Sequence, residues 1–160
     1  MSEQSTGSFI SPAQQKVINR ALNIIEKKFM SAAECPAICS PAAFTEYLRL
    51  KLWDYEREHF AVLFLNSQNN IIAAETLFSG SLSHVEVHPR IIARRALLYN
   101  AAAVILAHNH PGGDAFPSKP DKLITERVEK ALELLDIRIL DHFILTPDND
   151  YYSFTEHGLL

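Results

Sequence analysis

Apolar residues fall in two rhythms along this chain. Val17, Ile18, Ala21, Leu22, Ile25 and Phe29 recur at helical spacing behind Ser11-Pro12, which predicts a helix over 12–30. Phe44, Leu48 and Leu52 repeat at four-residue steps behind Ser40-Pro41, predicting a second helix to about Leu52. The rhythm then changes. Phe60-Ala61-Val62-Leu63-Phe64-Leu65 is apolar at both parities, as a strand covered on both faces is. The polar stretch Asn66 to Asn70 turns the chain, and 71–78 returns as a second strand. Val85 and Val87 alternate with His84, Glu86 and His88, the pattern of a short edge strand. Pro89 starts a third helix, over 89–100, and a buried strand follows over 101–107. A helix over 118–135 carries Leu123, Ile124, Val128, Ala131, Leu132 and Leu135 as its apolar stripe. Strands over 137–146 and 151–154 complete the chain. Helices and strands in this order make a mixed-sheet α/β domain over 40–160, preceded by a tail and helix in 1–39. Residues 1–11 and 31–40 read as irregular.

Composition narrows the function classes. A chain of 160 residues that is 48% hydrophobic has enough apolar surface for one core. Its 19 acids outnumber its 15 bases, so the average charge gives no pull toward nucleic acid or anionic lipid. A basic face can still hide in such an average. No apolar run approaches the roughly 20 residues of a membrane span, and Met1 to Ser8 lacks the apolar centre of a signal peptide. The expectation is a cytoplasmic protein with no membrane partner. Cys35 and Cys39 are four apart, outside any Cys-x-x-Cys pattern, and read as two ordinary thiols.

Candidate chemistry gathers at His108-Asn109-His110. Alternate residues of a strand share a face, so the two rings point together if the strand runs that far. Asp121 follows at the start of the next helix. Two imidazoles, a carboxylate and a position left for water form a catalytic zinc arrangement. The same residues have a plainer reading. Ser118-x-x-Asp121 is a capping-box pattern, and the histidines could simply be polar groups at a strand end. Pro117 and Pro120 stiffen the approach to Asp121, and Gly112-Gly113 permits close backbone approach. A metal that activates water wants a general base nearby. Glu56, Glu58, Glu75 and Glu86 are the candidates, and spacing alone does not choose among them.

Longer blocks carry a resemblance. They are Glu58-His59-Phe60, Glu75-Thr76-Leu77-Phe78-Ser79-Gly80, Val87-His88-Pro89-Arg90, Ala107-His108-Asn109-His110-Pro111-Gly112-Gly113, Pro117-Ser118-x-x-Asp121, Ile124-Thr125, Asp136-Ile137 and Asp141-His142. Over about 40–160 the chain resembles the RadC family of bacterial proteins, in a short prophage-type form. That family's domain has the JAB/MPN (JAMM) metalloprotease-like fold, a cytidine-deaminase-like architecture. The resemblance implies zinc on His108, His110 and Asp121. It implies Glu58 as general base, with Glu75 as the fallback, and Ser118 as a donor to the oxyanion. It implies a peptide or protein substrate cut at an amide or isopeptide bond. His88 and His142 also match, and we read them as structural hydrogen-bonding residues. Two departures stand out. The family's His-Pro-Ser-Gly is His110-Pro111-Gly112-Gly113 here, and residues 1–39 lack the helix-hairpin-helix region that suggests DNA contact in longer members. Deamination is excluded, because His110 stands where deaminases need glutamate and no Pro-Cys-x-x-Cys follows. Two rivals remain open. One is a DNA-associated metal hydrolase, as the family's DNA-repair label suggests. Three or more Lys or Arg beside the metal would favour it, with Arg90, Arg94, Arg95 and Arg127 the candidates. The other is a non-catalytic JAB/MPN scaffold.

Overall fold

The run that is apolar at both parities is the centre of the sheet. In a computed structural model that describes residues 10–31 and 41–160, it forms β1 (His59–Leu65), buried on both faces. Cys35, Cys39 and most of the expected loop over 31–40 lie outside the described residues. Antiparallel β2 (Ile71–Ser79) flanks β1 on one side and antiparallel β3 (Ala103–Asn109) on the other. β4 (Arg138–Leu145) runs parallel to β3, and β5 (Tyr151–Ser153) closes the far edge antiparallel to β4. The mixed five-stranded order is β2-β1-β3-β4-β5.

Alternation along the central strands supplies both sides of the sheet with apolar residues. Ala61, Leu63, Leu65, Ala103 and Ile105 pack with Phe44, Tyr47 and Leu48 of α2 (Pro41–Lys51). Leu22 and Ile25 of α1 (Pro12–Ser31) pack against this layer. On the other face, Phe60, Val62, Phe64, Val104 and Leu106 meet Ile92 and Ala96 of α3 (Pro89–Leu98) and Val128 and Leu132 of α4 (Lys119–Glu133). The expected mixed α/β sheet flanked by helices is therefore the observed fold.

Several boundaries differ from expectation. β3 begins and ends two residues later than 101–107. Asn100 takes a left-handed φ of 50°, and the Ala101 amide bonds back to the Ala96 carbonyl, so both residues belong to the end of α3. The later start carries β3 through His108. No strand forms at Val85 and Val87. That segment is extended beside the sheet, held by a tight loop in which the Ser81 amide donates to the His84 carbonyl. Gly80 permits the crossing, because a Cβ there would lie 1.9 Å from the His84 oxygen. Val17 is 69% exposed and lies off the packed face of α1. Leu123 and Leu135 do not belong to the buried stripe of α4: Leu135 lies past the helix end, and Leu123 borders a groove.

One buried side chain fastens the end of the sheet that matters most. Asn109 accepts from the His59 amide through Oδ1 at 2.6 Å and donates through Nδ2 to the Asp54 and Arg57 carbonyls at 3.0 Å. It thereby locks the loop before β1 onto the end of β3. Asn109→Ala is expected to lower the unfolding free energy by about 2–4 kcal/mol, since three backbone groups lose a buried partner. Denaturant unfolding measures this, and an unchanged midpoint would show that the loop is held by other contacts.

Candidate metal centre

The end of β3, the start of α4 and the middle of β4 meet at His108, Asp121 and His142. His108 is 1% exposed, and its ring stacks on Phe60 of β1 at 5.8 Å between centroids. β3 ends at Asn109, but the His110 amide still bonds to the Leu145 carbonyl of β4, so the chain stays extended for one more residue. The His108 and His110 rings therefore share a side, as the spacing predicts. Their Nε2 atoms lie 2.9 Å apart. Asp121 presents Oδ1 at 3.2 Å to His108 and Oδ2 at 3.3 Å to His110. Ligand atoms around a small tetrahedral cation stand about 3.3 Å apart. These three residues could hold a metal ion.

The hydrogen-bond network fixes which nitrogens are free. The Thr125 hydroxyl donates to the Asp121 carbonyl at 2.7 Å, so it can only accept from His142 Nδ1, 2.6 Å away. Burial holds His142 well below the usual imidazole pKa, with the nearby His108 charge adding to the effect. His142 is thus neutral with a bare Nε2, which accepts from His108 Nδ1 at 2.8 Å. His110 Nδ1 donates to the Asp114 carbonyl at 2.7 Å. Both Nε2 lone pairs are left facing each other and a carboxylate. Such a donor set calls for a cation. A proton on either Nε2 can stand in for that cation by bonding to Asp121, and two groups register the demand. His110 is drawn above the ordinary imidazole value: burial opposes the shift, but the bonds to Asp121 and the Asp114 carbonyl outweigh it. Asp121 is driven far below the carboxylate range, where hydrogen bonds from His108 and His110 overcome burial.

The capping box and the ligand role coexist in Asp121. Its Oδ2 accepts from the Ser118 amide at 2.7 Å, while the Asp121 amide donates to Ser118 Oγ at 3.2 Å. The same cap that starts α4 therefore aims the carboxylate. Ser118 lies at the site with its hydroxyl donating to Asp121 Oδ2 at 2.6 Å.

The register separates the candidate bases. Phe60 pairs with His108, so two further steps bring Glu58 across from His110. Glu58 is 8% exposed and lines a groove of about 670 Å³ together with His110, Ser118 and Asp121. Burial raises its pKa, partly countered by the His108 and His110 charges. Glu75 lies elsewhere. It pairs with Val62 in the middle of β2 and is taken up by Arg95 and Tyr99 of α3. Burial would raise its pKa, but those hydrogen bonds lower it. Glu86 lines the outer groove wall, whereas Glu56 is not among the lining residues. Of the four arginines that could mark a nucleic-acid site, Arg127 reaches the groove, Arg95 is paired with Glu75, and Arg90 and Arg94 are exposed on α3 outside it.

Thr125 enters the sequence analysis only within a matching block, with no role assigned to it. Its signal is a hydroxyl on the buried stripe of α4, four residues after Asp121. His142 has the structural hydrogen bonds expected of it, but they are directed at a candidate metal ligand. His88 precedes α3 without capping it and lies 3.7 Å from Glu86.

The sequence pattern of the RadC-like JAB domain matches residues 38–159. The chain belongs to that family. It is 51% identical over 146 residues to the UPF0758 protein YfjY of Escherichia coli (strain K12), covering 91% of this chain and 89% of that protein. It is 49% identical to the UPF0758 protein YeeS of the same organism, over 94% of this chain and all of the relative (100%). A UPF0758 protein of Leptothrix cholodnii is 44% identical over 94% of this chain and 68% of its own length. Within this RadC-like domain, the glycine at 112 meets nothing within 4 Å where a Cβ would be added. The family's serine would fit there, so the departure alters a groove-lining hydroxyl and leaves the packing untouched.

If the relay sets the His108 tautomer, Thr125→Val keeps the shape of the side chain and weakens metal affinity by about 10–100-fold. Competition with a chromogenic chelator reads this directly, and an unaltered affinity would remove Thr125 from the site.

Proposed function

We propose that this RadC-like JAB domain is a zinc-dependent hydrolase that cuts a peptide or isopeptide bond with water. The observation that carries the reading is Glu58, a buried carboxylate at the mouth of the His108–His110–Asp121 cluster. No hydrogen bond engages its side chain among the described residues. Two imidazoles and one carboxylate suit zinc and leave a coordination position open. A zinc ion bound there would lower the pKa of water to about 7 and polarise a carbonyl.

The chain's own residues supply the remaining chemistry. Glu58 takes a proton from the attacking water on its carboxylate and delivers it to the leaving amine nitrogen. Its raised pKa suits a group that must hold that proton between the two transfers. Ser118, on turning its hydroxyl from Asp121 toward the groove, donates to the oxyanion. The groove has room for a carbonyl and its flanking chain, which favours an enzyme over a scaffold. Its lining carries Glu58, Glu86, Asp114 and Asp121 against Arg127, which disfavours a phosphate backbone. No described helix is long and apolar enough to cross a membrane, which is compatible with work in the cytoplasm.

The test combines plasma mass spectrometry for metal with turnover of a peptide and isopeptide library. Wild type should carry about one zinc per chain and lose activity to a chelator. Glu58→Gln should keep the zinc and lose roughly 10²–10⁴-fold in turnover, while Glu75→Gln stays active. Equal activity in Glu58→Gln, or loss in Glu75→Gln instead, would remove Glu58 from the chemistry.

A further inference from the structure

The groove does not end at the metal ligands. Leu123, Ile124 and Arg127 recur at helical spacing along α4 and line it beyond Asp121. Leu123 is 60% exposed there, with Leu82 (69% exposed) and Val85 also lining it. Arg127 is the one Lys or Arg among the described lining residues, and none of the ion pairs among the described residues includes it. Arg95, by contrast, is neutralised by Glu75. A guanidinium without an ion pair, on the same helix face as Leu123 and Ile124, can receive an anion, and its fork matches a carboxylate.

Distance sets where that anion belongs. Six residues of helix separate Asp121 from Arg127, a rise of about 9 Å. An extended peptide advances about 3.3 Å per residue, so Arg127 stands about three residues from a carbonyl at the metal end. We propose that Arg127 is a specificity residue that reads a carboxylate about three positions from the scissile amide of an extended peptide. The intervening side chains are apolar and pack on Leu123, Ile124 and Val85. This rests on the reading of the groove as a peptide-cleaving site. A single carboxylate suits the channel better than a polyanion, because Glu58, Asp114 and Asp121 would repel any further negative charge near the ligands.

The probes are labelled, amide-capped peptides with a central Ala-Gly bond and either Glu, Gln or Lys three residues out, on the N-terminal side in one series and the C-terminal side in another. A further peptide has no acidic side chain and ends in a free carboxylate at that position. Fluorescence anisotropy reads binding to the full chain, and mass spectrometry of the same samples reads cleavage. In one series the carboxylate peptide should bind about tenfold tighter than its Gln twin. That preference should vanish in Arg127→Ala and pass to the Lys peptide in Arg127→Glu. The Glu and free-terminus peptides decide whether the carboxylate is a side chain or a chain end. Equal binding of acid and amide, a preference that survives Arg127→Ala, or no binding of any peptide would each overturn the proposal. Cleavage without acid preference would leave the hydrolase reading standing alone, and acid-dependent binding without cleavage would do the reverse.

Discussion

Two imidazole lone pairs and a carboxylate cannot face one another at 2.9–3.3 Å without a positive charge between them. Much of the architecture around β3 and α4 works to impose that encounter. The β3–β4 pairing places His142 beside the strand that carries His108, and burial keeps His142 neutral. Thr125 then spends its one proton on the Asp121 carbonyl, which obliges His142 to point its own proton back at Thr125. The result is a chain of four groups, Asp121 carbonyl, Thr125, His142 and His108, that begins and ends at candidate metal-ligand residues. Its direction is set by a backbone oxygen that can only accept.

Helix capping occupies Asp121 Oδ2 and leaves Oδ1 available to a metal ion, so the cap does not compete with a ligand role. The capping box needs one carboxylate oxygen turned back to the Ser118 amide. That turn leaves Oδ1 aimed at His108, and Oδ2 still within 3.3 Å of His110. Pro120, in the first turn, adds rigidity at no cost in hydrogen bonds, because its missing amide hydrogen has no partner there. The start of α4 is thus an anchoring device for the site, and helix stability and site geometry rise and fall together.

The parts legible in the sequence were those written in short-range pattern. β1 was visible because both parities are apolar, and the His-x-His pair was visible because strand alternation puts both rings on one side. The choice between Glu58 and Glu75 was not visible in spacing. Both lie near the ends or middles of strands, and only the register Phe60 to His108 brings Glu58 to the histidines while Arg95 and Tyr99 claim Glu75. The family resemblance pointed to Glu58 through its motif, and the register supplies the physical reason. The roles of Thr125 and Asn109 were not legible, for a common cause. Each is a small polar residue in apolar company whose partners lie far away in sequence or on the backbone, where periodicity carries no information. The displaced start of β3 has a local origin, since the left-handed Asn100 could be read equally as strand or cap.

Charge along the groove gives the site a polarity that the overall net charge of −4 conceals. At one end Glu58 and Asp114 line the groove beside the candidate ligands His110 and Asp121, so a cation there is attracted and an approaching phosphate is not. Farther along α4, Arg127 enters none of the ion pairs among the described residues. The lining also offers apolar surface from Leu123, Ile124 and Val85, beside the polar Ser83, His84 and Glu86. An extended peptide with one negative group at the right spacing satisfies both ends at once. A nucleic acid would satisfy Arg127 with one phosphate and bring the next ones against the carboxylates. The geometry that makes the metal site electron-rich therefore also helps to select what can lie beside it.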